Sequence, residues 1–237
     1  GVETDRFNFV SNVTQFTFWD SYLPQYEMAF RDGGAAGAMC SYFAPNGISV
    51  CGNSWLLNGV LRSPQGWNRS DAVVESDCSA VANMITNHDA TDGVAASADA
   101  LNAGMDLYGG TKDDLWHSGA LHQAINESLT SVAKLDAAVR RTTLQKMRLG
   151  LFDPVNASGV SNPWQNITAD EVNTTHAQQV AYEAALMGIV LLKNGEGNGT
   201  VLPLKPGSKL AVVGPFANDP RLLYSDYAGD PQKGGYR

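Results

Sequence analysis

Two rhythms of apolar residues alternate along most of the chain: stripes at helical spacing, and short bursts of small or β-branched residues that stop at a polar group. Tyr22, Leu23, Tyr26 and Phe30 form the first stripe and Asp32-Gly33-Gly34 closes it, which predicts a helix over 16–31. The burst Ala35-Ala36-Gly37-Ala38-Met39-Cys40-Ser41-Tyr42 then suits a strand buried on both faces, with Ser41 and Tyr42 at its polar end. Asn46-Gly47 marks a turn. Leu56, Leu57, Val60 and Leu61 predict a short helix that Pro64-Gln65-Gly66 ends. Next, Ala72-Val73-Val74-Glu75-Ser76-Asp77-Cys78 runs into a carboxylate flanked by small side chains, the pattern of a short buried strand ending at a mouth. A helix over 94–102 leads to Ala103-Gly104-Met105-Asp106-Leu107, another strand-like run that meets a carboxylate.

Helix and strand thus alternate, each strand short and buried. This is the rhythm of a parallel sheet or barrel, whose reactive groups sit at strand C-terminal ends. Ile125, Leu129, Val132, Leu135 and Val139 keep helical spacing down to Met147, with Thr130 or Ser131 expected to start a second helix inside that stretch. Residues 153–173, rich in Asn, Ser, Pro and Gly, read as a linker. Beyond it, Thr175 and Gln178 have the spacing of a capping box, Val180, Ala184 and Met187 form a helical stripe, and Ile189 to Leu192 is β-prone. Leu210-Ala211-Val212-Val213-Gly214-Pro215 reads as a parallel strand entering a glycine turn. So few strands cannot bury a core, so a second α/β domain is expected to be only begun here.

Composition narrows the function. Of 237 residues 43% are hydrophobic, which fits a globular core, and the net charge of −8 offers no basic track for a nucleic-acid backbone. The longest apolar stretch, near 184–192, is too short to span a bilayer. Asn-x-Ser/Thr occurs at Asn12, Asn68, Asn126, Asn156, Asn166, Asn173 and Asn198, against about two expected by chance, which favours a secreted glycoprotein. The chain opens with Gly rather than Met and carries no leader, so it is expected not to begin at its natural start. Cys40, Cys51 and Cys78 lack the spacing of a zinc site, and three cysteines suit an oxidising compartment if two pair. His117, His122 and His176 also lack metal-ligand spacing.

Asp77 is the strongest candidate for chemistry, although a strand-end Asp also serves as a helix cap or turn former. The glycines near 33–37 do not match G-x-G-x-x-G and lead into a strand, which speaks against a dinucleotide loop. His88 lies in the loop after Asp77 and is read as a backbone-bonded loop residue rather than a relay.

Taken in order, Met39-Cys40-Ser41-Tyr42 with Asn46-Gly47 and Cys51, Glu75-Ser76-Asp77-Cys78, Ala103-Gly104-Met105-Asp106-Leu107, Arg148-Leu149-Gly150-Leu151-Phe152, Ile189-Val190-Leu191-Leu192-Lys193-Asn194 and Val213-Gly214-Pro215 resemble glycoside hydrolase family three, within it the secreted β-xylosidases of fungi and plants. The resemblance implies an α/β fold in which 1–152 is the C-terminal part of a (β/α)8 TIM-type barrel, 153–173 a linker and 174–237 the beginning of an α/β sandwich domain. It implies hydrolysis of terminal β-D-xylosyl residues from xylo-oligosaccharides by a retaining mechanism, with Asp77 as nucleophile and Met39 and Tyr42 shaping the sugar subsite. It also implies an extracellular or cell-wall location, no cofactor, no metal and an oligosaccharide as the partner; the oligomeric state stays open. A retaining glycosidase needs a second carboxyl about 5 Å from the nucleophile. Glu75, two residues earlier on the same strand, would run parallel to Asp77 rather than flank a bond. The resemblance places the acid/base beyond Arg237 and a sugar-gripping Lys-His pair before Gly1.

Cys78 after the Asp is typical of the xylosidase branch, whereas Tyr108-Gly109-Gly110 stands where that branch continues Asp-Cys-Gly, and Phe43 stands where Asn is usual. Cys40 with Cys51 is the disulfide that the resemblance leaves in place, and Tyr108 and Trp116 either stack on sugar or pack at the rim. Another exo-β-glycosidase, a β-glucosidase or α-L-arabinofuranosidase, is the rival activity. A non-catalytic glycan-binding remnant is the rival of a different kind; such a chain would leave sheet edges open and melt without one cooperative transition.

Overall fold

The computed structural model describes residues 7, 10–86, 89–109, 115–153, 164, 167–195, 199–215 and 217–218. Contacts divide the chain into two units, Gly1–Asn166 and Ile167–Arg237. In the first, strand β1 (Val10–Ser11) precedes a helical run broken into α1 (Gln15–Thr17), a π-helical turn Phe18–Tyr22 and α2 (Pro24–Arg31). Spacing alone predicts one helix over 16–31. Pro24 explains the restart, because it has no N–H to donate to the preceding turn and is suited to a first helical position. On the core side of α2, Phe30 is buried and stacks on Trp67 with ring centroids 5.9 Å apart.

Strand β2 (Gly37–Cys40) follows, then β3 (Ala44–Pro45), which pairs in parallel with β1. The expected Asn46-Gly47 turn forms with both residues at positive φ, and the Asn46 side chain pins it to β1's exit by accepting from Val13 N at 2.7 Å. A π-helix Trp55–Arg62 carries the predicted apolar stripe, burying Leu57, Val60 and Leu61. Strand β4 (Val73–Ser76) then pairs in parallel with β2, from Gly37 opposite Val73 to Cys40 opposite Ser76. Alternation sends Ala38, Cys40, Val74 and Ser76 to one face, where Cys40, Val74 and Ser76 are buried, and leaves Gly37, Met39 and Glu75 exposed on the other. The reading of this burst as a strand buried on both faces is therefore corrected: one face packs and one is open.

Helices α3 (Ala80–Thr86) and α4 (Gly93–Ala103) cover the packed face, bringing Val81, Met84, Ala96 and Ala100 into one core with Val74 and Met105. Gly104 ends α4 at φ 106, the left-handed conformation that glycine adopts without strain. The third strand expected over 103–107 shrinks to a single parallel bridge between Leu107 and Glu75. The N–H groups of Asp106 and Leu107 both converge on Val74 O, at 2.8 and 3.1 Å, so the ladder does not extend. Helices α5 (Ala120–Asn126) and α6 (Val132–Arg148) follow, and Ser131 caps α6 as the break in the long stripe suggests, accepting from Lys134 N.

In the second unit α7 (Thr175–Gly188) is capped by Thr174, whose hydroxyl accepts from Ala177 N at 3.1 Å. The capping residue expected at Thr175 is thus one position too late; Gln178 instead reaches back to Asn173. Residues 189–195 and 199–215 have no ladder partner among the described residues, so the strand expected over 210–215 does not form. A strand needs a neighbour for its N–H and C=O groups, and apolar content alone does not supply one. No described residue of this unit is buried.

Candidate active site

Asp77 lies one residue past β4, flanked by the ends of β2 and of the 105–109 segment. Its N–H donates to Cys40 O at 2.9 Å, which continues the β2–β4 ladder, and its carbonyl accepts from Ala80 N at 3.0 Å, which starts α3. The carboxylate Oδ1 accepts from Cys78 N at 2.7 Å, a local turn bond available to any Asp in this conformation. No hydrogen bond to Oδ2 occurs among the described residues, and the side chain is half-buried on the open side of the sheet. The carboxylate is thus anchored by one oxygen while it keeps access to whatever occupies the open face.

Tyr42, just past β2, donates through its hydroxyl to Cys78 O at 2.7 Å, and the Phe7 ring meets it edge-on at 4.8 Å. Tyr42 therefore stands beside Asp77 and holds the following peptide. Met39 is 60% exposed and lies in register with Glu75 on the open face. Structure thus brings Met39, Tyr42 and Asp77 to one end of one parallel pair. Tyr108 and Trp116 meet at 5.7 Å and both pack against the core.

Cys40 and Cys51 form a disulfide with Cα atoms 5.2 Å apart, tying β2's end to the following loop, and Cys78 is exposed and unpaired. The sequon residues Asn12, Asn68, Asn126 and Asn173 are exposed, while Asn156, Asn166 and Asn198, like His88, fall outside the described residues.

Asp106 turns out to be of another kind. Its Oδ2 accepts from Arg62 Nη2 at 2.6 Å and Val74 N at 2.8 Å, and its Oδ1 from Arg141 Nη2 at 2.7 Å and Nε at 2.8 Å. Its side chain is fully buried and its acceptor sites are occupied, so it holds the fold and has nothing left for a substrate. Burial drives the Arg62 guanidinium down to about 10, against the opposing pull of Asp106. Nothing in the sequence marks this triad, because Arg62 closes an apolar stripe like any helix-terminal cation. A cleft of about 380 Å³ carries Asp89 and Asp99 but does not include Asp77. There, desolvation first and the Asp89 charge second raise the Asp99 carboxyl above its usual range.

No protein-family model matches the chain. Over 229 residues, 96% of its length, it is 36% identical to a probable exo-1,4-beta-xylosidase, bxlB, of Aspergillus oryzae, and over 225 residues 38% identical to exo-1,4-beta-xylosidase bxlB of Emericella nidulans. The solved GH3 exo-beta-xylosidase XlnD, in complex with a xylobiose aziridine activity-based probe, matches 85% of the chain at 36% identity with a TM-score of 0.67. By sequence and by structure, the chain matches a segment of a glycoside hydrolase family three enzyme. A mutant beta-glucosidase from Listeria innocua, solved in complex with laminaribiose, matches 91% of the chain at 30% identity with a TM-score of 0.66. The chain spans 27% of the length of the A. oryzae relative and 25% of the XlnD chain.

Proposed function

We propose that this chain carries the nucleophile and part of the sugar subsite of a secreted retaining exo-β-xylosidase acting on xylo-oligosaccharides. The observation that carries the proposal is Asp77: a half-exposed carboxylate at the C-terminal end of a parallel strand, on the open face, in a chain 36% identical over 96% of its length to an exo-1,4-beta-xylosidase. In this reading the open face of β2 and β4 is the inner face of a (β/α)8 barrel to which 1–152 contributes the last strands, 153–173 is a linker and 174–237 opens an α/β sandwich. The four exposed sequon residues fit a glycosylated, extracellular or cell-wall protein.

The chemistry follows from an ionised carboxylate beside a sugar. Asp77 Oδ2 attacks the anomeric carbon as the glycosidic oxygen leaves with a proton from a second carboxyl, giving a covalent xylosyl ester. Water, deprotonated by that second group, then releases xylose and regenerates the Asp77 carboxylate. Glu75 shares Asp77's strand and face and would point parallel to it, so the second carboxyl belongs elsewhere. Met39 offers an exposed thioether to the apolar face of the sugar, and Tyr42 lines the same end.

Asp77→Ala in the full-length protein should reduce turnover of an aryl β-xyloside by at least about 10³-fold. A xylobiose aziridine probe should label the parent at Asp77, with the label lost in the variant. Substantial residual turnover, or a label mapped to another residue, would overturn the assignment. A second reading, β-glucosidase, is favoured by neighbours such as the L. innocua enzyme and by Gly109 where xylosidases of this type carry Cys. Rates on aryl xyloside and aryl glucoside separate the two, because a pentose pocket excludes the extra hydroxymethyl group.

A further inference from the structure

The turn that bears Asp77 is gripped by groups that the chemistry above does not use. Ser76 is 1% exposed and, by strand alternation, faces the packed side of the sheet, out of reach of a sugar on the open side. Its Oγ accepts from Gly109 N at 2.8 Å, and its own N–H donates to Leu107 O at 2.9 Å. Gly109 O in turn accepts from Ser79 N at 3.0 Å. A single residue therefore holds both ends of the turn 76–79. Gly109 is confined there, since a Cβ would lie 2.1 Å from Ser76 O. At the far end Ser79 adopts φ 62, a conformation that a non-glycine residue keeps only when its surroundings impose it.

We infer that Ser76 and Gly109 form a clamp that aims the Asp77 carboxylate, with Ser76 a positioning residue for the displacement; this rests on Asp77 being the nucleophile. Asp77 Oδ1 is bonded to Cys78 N, so the direction of the carboxylate is tied to the 77–78 peptide. Tyr42 holds the next peptide, at Cys78 O, from the β2 side, and the Gly109 clamp holds the turn from the other. Release of the clamp lets the peptide turn and carries Oδ2 off the line of attack, which slows the chemical step and leaves sugar binding largely intact.

The test uses the full-length enzyme, with kcat and KM on an aryl β-xyloside, the rate of covalent labelling by the aziridine probe, and the unfolding midpoint of each variant. Ser76→Ala should lower kcat and the labelling rate roughly 10- to 100-fold while KM stays within about threefold. Ser76→Thr, which keeps the hydroxyl acceptor, should recover most of both rates. If Ser76→Ala does not fold, Ser76→Cys, close in size but a poor acceptor, takes its place and should show the same split. A folded Ala or Cys variant with undiminished kcat, or one in which only KM changes, overturns the clamp. Asp77→Ala in the same assay keeps the two ideas apart: its activity would sink the nucleophile reading, whereas an inactive Asp77→Ala beside a normal Ser76→Ala would sink the clamp alone.

Discussion

The two faces of the β2–β4 pair are made by alternate residues of the same strands, yet they solve opposite problems. On one side Cys40, Val74 and Ser76 lie under helices and inside hydrogen bonds or a disulfide; on the other Met39, Glu75 and then Asp77 face outward. The contrast teaches that the packed face fixes where the open face points. Asp77 owes its direction to backbone atoms of Cys40, Cys78 and Ala80, and these are held by what lies behind them. Stability changes should therefore concentrate on the packed face and activity changes on the open one.

Substitutions can break or sharpen that division, and the strongest acts behind the sheet. Asp106→Ala leaves Arg62 buried beside Arg141 without its carboxylate, and a drop in unfolding free energy of about 3–5 kcal/mol is expected in urea melts of the full-length protein. Next comes Cys40→Ser with Cys51→Ser, which opens a link between residues 11 apart in sequence and should cost about 2–3 kcal/mol by the same measurement. Val74→Ala, at a side chain with no exposure, should cost about 2 kcal/mol and leave KM unchanged. Its counterpart on the open face, Met39→Ala, should change stability by less than about 0.5 kcal/mol and raise KM for the xyloside. A large stability loss in Met39→Ala would show that the open face is itself a packing face.

The smallest effect expected is a pH dependence at the edge of this architecture. A hydrogen bond from Arg148 is the main cause that holds the Asp71 carboxyl below its usual value, with Arg69 adding to it and burial opposing it. Its pKa is lower folded than unfolded, so the contribution to stability is complete above about pH 4 and is lost as pH falls through the lower folded value. Asp71→Asn should flatten the acid limb of the unfolding midpoint measured from about pH 6 to pH 3. An unchanged limb would assign the acid sensitivity to other carboxylates.

Much of the first unit could be read from spacing. Glycine and proline punctuation located the helices around 55–62, 93–103 and 132–148, and a helix start at Thr130 or Ser131 was visible because polar residues interrupt a long apolar stripe, with the structure choosing Ser131. The place of Asp77 at a strand end was legible because an apolar burst stops there at an acid; its duty was not, since Asp106 ends a similar burst and is a buried strut. Other features left no such trace. Pro24 divides an otherwise continuous stripe, the run 103–107 forms one bridge in place of a strand, and the cap of α7 is Thr174 although Thr175 fits the spacing as well. In each case a hydrogen bond to a neighbour, or its absence, decided between patterns that look alike along one chain.

From its order of residues alone, this chain sets an alternation of short strands and helices, a carboxylate at the end of one strand and a family relationship, because these depend on local periodicity and on motifs a few residues long. Folding in three dimensions assigned the two acids at 77 and 106 to opposite duties. Asp106 met Arg62 and Arg141 across 44 and 35 residues of chain and became a buried strut, while Asp77 emerged half-exposed with one oxygen unengaged among the described residues. The physical reason is that a carboxylate's role depends on solvation and on which donors surround it, and those donors come from segments far apart in sequence.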